Sequence, residues 1–306
     1  NRNRVLRGNA ARHTSHKRKP TRRFALIRSA VILVIIIVAV SVAVTKCKGG
    51  KESVATQQTG QTETQPPAKE YNVPPASEEN DLLKIARNAQ GTSGEKICYL
   101  TFDDGPTKEV TPKVLEVLKK YNVKATFFCL GKMLEANRDI AETEVKEGHL
   151  LANHSYSHEY KDLYATSESF MGEIDKTEAL TTDYLRVFIR FPGGSYNAGD
   201  HAAEKQVYKQ KLKENGYYYA DWNCLNGDAE SALKSVDSLV SKVKNTATED
   251  NIVVLMHDAA AKTTTPEALG QIIEYLKSKG YSFKRLDEVE YYDTGEEKTD
   301  SSTMIL

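Results

Sequence analysis

The sequence predicts an α/β fold with a parallel sheet, because short β-rich runs alternate with amphipathic helical patterns over residues 95–292. The predicted strands are 97–102, 125–130, 150–153, 187–191, 217–222, 252–256 and 281–284. The predicted helices are 111–121, 134–146, 168–185, 202–215, 235–244 and 266–279, and Gly216 and Gly280 stand where C-terminal caps are expected. Such units form either an irregular barrel or a doubly wound sheet, and in both the active site lies beyond the C-terminal strand ends.

The composition allows one sizeable domain with appendages. The chain has 306 residues, of which 40% are hydrophobic and 27% charged, and these values exclude collagen-like and wholly disordered proteins. The formal net charge is zero, but residues 1–51 carry 13 basic and no acidic residues, which leaves 29 basic against 42 acidic residues in the remainder. The basic N-terminal segment and the acidic remainder are therefore expected to have different functions.

Residues 29–45 are predicted to form a transmembrane helix. From 30 to 44 every residue except Ser41 is Ala, Val, Ile or Leu, and a helix of this length rises about 25 Å, close to the thickness of a bilayer core. The basic segment 1–28 is predicted to be cytoplasmic by the positive-inside rule, with the rest outside the cell membrane. A cleaved signal peptide ending near Ala43 is the alternative. Anionic lipid and topology explain the basic residues, so no nucleic acid partner is expected.

Two polar segments flank the predicted α/β domain at 95–292. Residues 46–94 are rich in Thr, Gln, Glu, Ser and Pro and are predicted to be a solvated linker, and residues 293–306 are predicted to be a polar tail. The sequence has four cysteines, and Cys98, Cys129 and Cys224 fall in or beside apolar strands. A buried thiol there acts as a small hydrophobic group, so a disulfide framework is not expected.

The first predicted strand ends in two adjacent carboxylates, within TFDDGP at 101–106. Asp103 and Asp104 at the end of an apolar strand are costly to bury unless a positive group neutralises them. A metal ion would do so, and a solvated turn is the alternative reading.

The third predicted strand leads into NHSYSH at 153–158. If the backbone turns helically here, His154 and His158 point the same way, and paired imidazoles at that spacing suit zinc.

Three further strand ends carry charged or imidazole groups. The fourth strand ends in Arg190, the fifth leads to Asp221 and Asp228, and the sixth ends in His257 and Asp258. Five of the seven predicted strands therefore end in such groups. Independent surface residues would show no preference for one end, so we expect a single constellation of acid, base, cation and metal ligands.

These five motifs, in this order, resemble those of the polysaccharide deacetylase (NodB-homology) family, also called carbohydrate esterase family 4. The resemblance covers nearly all of residues 95–292, and the chain resembles membrane-anchored peptidoglycan N-acetylglucosamine deacetylases. It implies an irregular (β/α) barrel of seven or eight strands. It also implies metal-dependent removal of N-acetyl groups from an extracytoplasmic glycan, giving free amine and acetate. Peptidoglycan N-acetylglucosamine or N-acetylmuramic acid is the expected substrate, and chitin-like oligomers are the alternative glycan substrate.

The resemblance assigns the central roles. Asp104, His154 and His158 would hold one divalent cation. Zinc is the expected metal, and cobalt, nickel or another transition metal is the alternative. Asp103 would be the base that takes a proton from the attacking water, and His257 the acid that protonates the departing amine.

The remaining family roles fall on groups around these five. Arg190 would orient the base and keep it ionised, and Asp228 would raise the pKa of the acid histidine. Trp222 and Leu255 would wall the pocket for the acetyl methyl group. The family commonly has an aromatic residue after the proline of its third motif, where this chain has Gly193. Its N–H would still serve the oxyanion, but the groove is expected to be wider and the loop more flexible.

Two other functions are compatible with the same sequence. The first is an O-acetyl esterase that acts on xylan-like or wall O-acetyl groups. The second, from another class, is a catalytically silent glycan-binding envelope protein. Activity on an N-acetylated oligosaccharide separates these from a deacetylase, and the sequence does not predict an oligomeric state.

Overall fold

The computed structural model of the chain describes residues 76–88, 94–180, 187–196, 202–230 and 233–289. The predicted cytoplasmic segment, the predicted transmembrane helix at 29–45, most of the linker and the tail lie outside these residues. Within the described ranges, no helix has both the length and the apolar character that crossing a membrane requires.

The described residues contain eight strands, and seven of them overlap the predicted strands. The strands are β1 (Lys96–Asp103), β2 (Thr126–Cys129), β3 (Leu150–Asn153), β4 (Phe188–Ile189), β5 (Tyr218–Tyr219), β6 (Cys224–Leu225), β7 (Asn251–His257) and β8 (Tyr281–Phe283). The helices are α1 (Leu82–Asn88), α2 (Thr111–Tyr121), α3 (Gly131–Ala136), α4 (Arg138–Lys146), α5 (Tyr160–Leu163), α6 (Ser167–Glu178), α7 (Ala202–Glu214), α8 (Val236–Thr246) and α9 (Thr265–Ser278), and a 3-10 turn spans Leu286–Glu288.

All strands pair in parallel in one sheet, in the order β5-β4-β3-β2-β1-β7-β6. The eighth strand, β8, pairs with the first residues of β1. The sheet is curled into a half-barrel, and among the described residues no strand pair joins β5 to β6. The predicted α/β fold with a parallel sheet is therefore confirmed, and the doubly wound alternative is excluded in favour of the curled sheet.

The two faces of β1 explain where the site lies, because successive side chains of a strand point to opposite faces. Cys98, Leu100 and Phe102 pack outward in a core cluster with helices α2 and α9. Ile97 and Tyr99 face inward with Phe128, Leu150 and the buried residues of α1. The next inward positions are Thr101 and Asp103, so the inside of the sheet changes from apolar to polar at its C-terminal end.

Three local features differ from the predictions. Helix α1 lies within the predicted linker 46–94, because Leu82, Leu83 and Ile85 are apolar at helical spacing and are buried. The predicted helix 134–146 is two helices that meet at Asn137. Strand β6 was not predicted, since its two residues gain their pairing only from β7. Cys98, Cys129 and Cys224 are buried free thiols, as expected of small hydrophobic groups.

Candidate active site

Asp103 is the last residue of β1, an interior strand of the sheet, and Asp104 follows it directly. Asp103 is in register with His257 of β7, so these two residues are neighbours on adjacent strands. Asp104 has a left-handed backbone with φ 76°, which turns the chain directly after the strand. The next residue must be glycine, because a Cβ on Gly105 would collide with the carboxylate of Asp258.

The three predicted metal ligands lie together. Atom Nε2 of His154 is 3.6 Å from Oδ1 of Asp104, and Nε2 of His158 is 3.7 Å from the same oxygen. One ligand atom from each of the three side chains lies within 4.8 Å of the others. The sequence prediction that these residues converge therefore agrees with the geometry, and their role as ligands stays a prediction.

The chemistry of these three side chains fits a metal ion. The Nδ1 of His154 lies 2.8 Å from the backbone oxygen of Arg190, so it carries the proton and leaves a lone pair on Nε2, which faces Asp104. Burial lowers the pKa of His154 to about 3, which keeps the ring neutral. Oxygen Oδ1 of Asp104 is buried and has no hydrogen-bond partner among the described residues. A neutral imidazole and an unpaired carboxylate oxygen are donors that zinc accepts.

The two histidines converge for a reason other than the predicted helical turn. Residues 154–157 form a loop, and helix α5 begins only at Tyr160. Ser155 and His158 have left-handed backbones, with φ 69° and 62°, and the imidazole rings come to a centroid distance of 5.2 Å. Backbone conformations of this kind are costly and are found at functional sites.

Glu173 of α6 holds this loop. Its Oε2 accepts from the backbone N–H of Tyr156 at 3.1 Å and of Ser157 at 2.7 Å, and from the Ser157 hydroxyl at 2.8 Å. Sequence reasoning missed Glu173, because an acidic residue within a helix carries no signal of a distant partner.

Arg190 binds the predicted base. Its Nη1 donates to Oδ1 of Asp103 at 2.8 Å and to the hydroxyl of Thr101 at 2.7 Å, and its Nε donates to the carbonyl of Ala220 at 2.9 Å. The guanidinium is fully buried. Burial raises the pKa of Asp103, and the charge of Arg190 opposes that rise. The arginine therefore fixes Oδ1 and leaves Oδ2 directed toward His154, 3.7 Å from its Nε2.

Asp228, which is buried, forms a second pair with His257, which is partly exposed. Oδ1 of Asp228 lies 2.8 Å from Nδ1 of His257, and its Oδ2 accepts from the His257 backbone N–H at 2.9 Å and from the Thr265 hydroxyl at 2.8 Å. Burial lowers the pKa of His257, but the hydrogen bond and charge of Asp228 outweigh it and raise that pKa to about 9. His257 therefore carries a proton at neutral pH, as the role of an acid requires.

The residues predicted for the oxyanion and the acetyl pocket lie on the same end of the sheet. Leu255 is buried on β7 and, two residues before His257, faces the same side of the strand. Trp222 packs against Gly194, where a Cβ would approach its ring to 2.8 Å. Its ring is also 5.7 Å from the guanidinium carbon of Arg190.

The loop that carries Gly193 is tied to its surroundings. The hydroxyl of Tyr164 donates to the carbonyl of Pro192 at 2.8 Å, and Nζ of Lys205 donates to the carbonyl of Gly194 at 2.6 Å. Asp221 accepts from both the backbone N–H and the hydroxyl of Ser195. These contacts restrain the loop that was expected to be flexible, and the sequence offered no signal for them beyond the polar strand ends.

Comparison with known proteins identifies the family. A polysaccharide deacetylase family model matches residues 90–212. The chain is 35% identical to a peptidoglycan-N-acetylglucosamine deacetylase of Listeria monocytogenes over 72% of this chain and 45% of that protein. It therefore spans about half the length of that relative. A peptidoglycan-N-acetylglucosamine deacetylase of Bacillus cereus is 31% identical over 65% of this chain and 91% of the relative.

Solved structures agree with the sequence matches. A carbohydrate esterase family 4 esterase of Streptococcus mutans superimposes with a TM-score of 0.59 and 32% identity, over 67% of this chain and 89% of that one. Together with the five motifs at the strand ends, these matches show that the chain belongs to the polysaccharide deacetylase family, carbohydrate esterase family 4.

Proposed function

We propose that the protein removes N-acetyl groups from N-acetylglucosamine of peptidoglycan in a reaction that depends on one divalent cation. Zinc is the metal that we propose. The observation that carries the proposal is the unpaired Oδ1 of Asp104 beside two imidazole nitrogens, with Asp103 and a protonated His257 next to it. The relatives named as peptidoglycan-N-acetylglucosamine deacetylases support the choice of substrate.

The roles of base and acid follow from the two pairs. Asp103, held through Oδ1 by Arg190, takes a proton on Oδ2 from the water that attacks the acetyl carbonyl carbon. His257, held by Asp228 through Nδ1, gives its Nε2 proton to the sugar nitrogen as the carbon–nitrogen bond breaks. Acetate and a free amine result. Asp104, His154 and His158 would hold the cation, which supplies Lewis-acid polarisation of the carbonyl.

The remaining residues position the acetyl group. The backbone N–H of Gly193 donates to the oxyanion that develops on the carbonyl oxygen. Trp222 and Leu255 enclose the methyl group, and the contacts of Ser195 with Asp221 keep the Gly193 loop in place. Without a side chain at Gly193, the groove accepts a wider glycan than an aromatic residue there would allow.

We propose the same topology as the sequence predicts. A single span at 29–45 anchors the chain in the cell membrane, the N-terminus is cytoplasmic, and the catalytic domain meets the glycan outside. Protease treatment of intact cells tests this, because loss of the catalytic domain with protection of the N-terminus is expected. Release of the intact catalytic domain into the medium without protease would instead support cleavage of the span.

The experiment for the reaction uses the full chain and N-acetylglucosamine oligomers of defined length. Acetate release and metal content are measured before chelation, after chelation and after zinc is restored. We expect acetate release to follow the bound metal, and unchanged release from the metal-free protein would refute metal dependence. Asp103→Asn serves as the matched variant, since it should bind metal and release no acetate.

An O-acetyl esterase is the second candidate, because one structural neighbour is named as an esterase. An ester breaks more easily than an amide, so the same site would cleave O-acetyl groups. Rapid acetate release from acetylated xylan together with none from N-acetylglucosamine oligomers would decide for the esterase. Absence of release from both, with retained glycan binding, would decide for the silent binding protein.

A further inference from the structure

A cleft of about 510 Å³ lies beside the predicted metal ligands, with Asp104 and His158 in its wall. Its other walls come from the loop after β1, helix α3 and the loop after β7. Clefts that bind small molecules have volumes of roughly 300–1,000 Å³. This cleft is therefore large enough for a sugar or a sugar substituent next to the reacting acetyl group.

Two ammonium groups line the cleft away from the metal ligands. Lys108 belongs to the loop after β1 and is exposed, and Lys132 belongs to α3 and is half-buried. Neither forms an ion pair with any acidic side chain in the described part of the chain. Glu109 is the one acidic side chain in the lining besides Asp104, so the lining beyond the metal ligands carries a net positive charge.

The ammonium of Lys132 is held at a defined place. Its Nζ donates to the backbone carbonyl of Ser157 at 2.7 Å, one residue before His158. An ammonium group has three donors, so this contact leaves two for a ligand. The lining also includes the hydroxyl of Thr107 and the amide of Asn137, but these two donate to the backbone carbonyls of Asp258 and Pro106. The two ammonium groups without acidic partners are therefore donors that suit an anion.

We propose that this cleft binds a carboxylate on the substituent of the sugar next to the one that is deacetylated, and that Lys108 and Lys132 recognise it. The proposal rests on the proposed function. In peptidoglycan, N-acetylglucosamine alternates with a muramic acid whose lactyl group ends in a carboxylate or carries a peptide with carboxylates. In chitin-like oligomers every sugar is neutral. The two lysines therefore select peptidoglycan over chitin-like glycan.

The test measures equilibrium binding by calorimetry to the full chain with Asp103→Asn, which prevents turnover. Three ligands of equal sugar number are compared: a chitin oligomer, a peptidoglycan strand with free lactyl carboxylates and a strand that keeps its peptides. We expect at least one carboxylate-bearing strand to bind about three- to tenfold more tightly than the chitin oligomer, the effect of one or two partly exposed charged hydrogen bonds. The tighter of the two strands identifies which carboxylate is bound.

Substitutions in the lysines sharpen the test. Lys108→Gln and Lys132→Gln should each reduce the preference, and Lys132→Arg should keep it, which separates the charge from the contact with Ser157. Lys277→Gln is the matched control, because Lys277 is exposed at the C-terminal end of α9, where the helix leads back to the opposite end of the sheet. Equal affinity for all three ligands, or a preference that survives loss of both lysines, would overturn the proposal.

Acetate release from the same ligands by the chain with Asp103 intact tests the proposed function separately. Release with equal affinities would reject recognition by the lysines and leave the deacetylase. A binding preference without release would reject the deacetylase and leave the recognition.

Discussion

The predicted metal ligands Asp104, His154 and His158 (the metal side) and the predicted acid His257 with Asp228 (the acid side) are built differently. On the metal side, Oδ1 of Asp104 is buried without a hydrogen-bond partner among the described residues, and the imidazole nitrogens of His154 and His158 stand 3.6 and 3.7 Å from it. On the acid side, both oxygens of Asp228 are bonded, to the ring and backbone of His257 and to the Thr265 hydroxyl.

The difference shows which half of the site has its hydrogen bonds satisfied by the protein without a bound ligand. A buried polar atom without a partner costs free energy that a bound ligand would offset. The acid side has no such atom at Asp228 and is preorganised by its own hydrogen bonds. We therefore expect substitutions on the metal side to act through metal binding, and substitutions on the acid side to act through the pKa of His257.

The largest effect is expected on the metal side. Asp104→Asn should lower the rate of acetate release by about 10³-fold or more and abolish stoichiometric metal binding, since a Lewis acid supplies several kcal/mol of stabilisation to the transition state. Metal content and acetate release are measured together. Asp162→Asn, an exposed acid on α5, is the control, and metal bound at full stoichiometry by Asp104→Asn would remove Asp104 from the ligand set.

Substitution of the proposed base, Asp103, has the next largest expected effect and separates its role from that of the proposed ligands. Asp103→Asn should lower the rate by about 10²- to 10⁴-fold while the bound metal is retained, because general base catalysis is lost and the amide oxygen still accepts from Arg190. Retained activity would exclude Asp103 as the base. Thermal unfolding of the wild type and of Asp103→Asn checks that the variant still folds around the buried Arg190.

The acid side should respond to pH. Burial lowers the pKa of His257, and the hydrogen bond and charge of Asp228, with smaller effects from Asp103 and Asp104, raise it to about 9. In Asp228→Asn the largest raising effects are lost, so the pKa of the imidazole falls. At pH 7 the variant should therefore be mostly unprotonated and slower by about 10²-fold, with a smaller deficit at lower pH. The kcat profile and the NMR titration of the imidazole measure this. A basic limb that stays near pH 9 in the variant would contradict the assignment.

The same pair predicts a pH-dependent contribution to stability. A pKa raised on folding stabilises the folded state fully below the unfolded value near 6.5, and the contribution is lost as the pH rises through about 9. The difference in free energy of unfolding between the wild type and Asp228→Asn should therefore shrink over that range. Chemical denaturation at several pH values provides the measurement, and a difference that grows with pH would contradict it.

The smallest effect is expected from the hydroxyl that supports Asp228. Thr265→Val removes one of the donors to Oδ2 of Asp228 and should cost about 1 kcal/mol of stability, with a few-fold loss of activity. Thr264→Val is the matched control, because Thr264 makes no side-chain hydrogen bond at the start of α9. Equal losses in the two variants would show that the hydroxyl of Thr265 does not act through Asp228.

The prediction of the strands succeeded where local signals were strong. The run at 97–102 falls within β1, and the run at 252–256 falls within β7, because both are long and apolar and end in polar residues. Helix α1 was assigned to the linker, since its few apolar residues follow a long polar segment. Strand β6 has two residues and needs its neighbour to exist.

The motif pattern was sufficient to predict which side chains gather at the site, because parallel strands bring their C-terminal ends to one edge and each motif follows a strand. The protonation and tautomeric states of these side chains depend on contacts that only the folded protein forms. The backbone of Arg190 sets the tautomer of His154, Glu173 shapes the loop between the two histidines, and Asp228 charges His257. These contacts join residues that are far apart in the chain. Their strength depends on burial, and the residues become buried only when the curled sheet has formed.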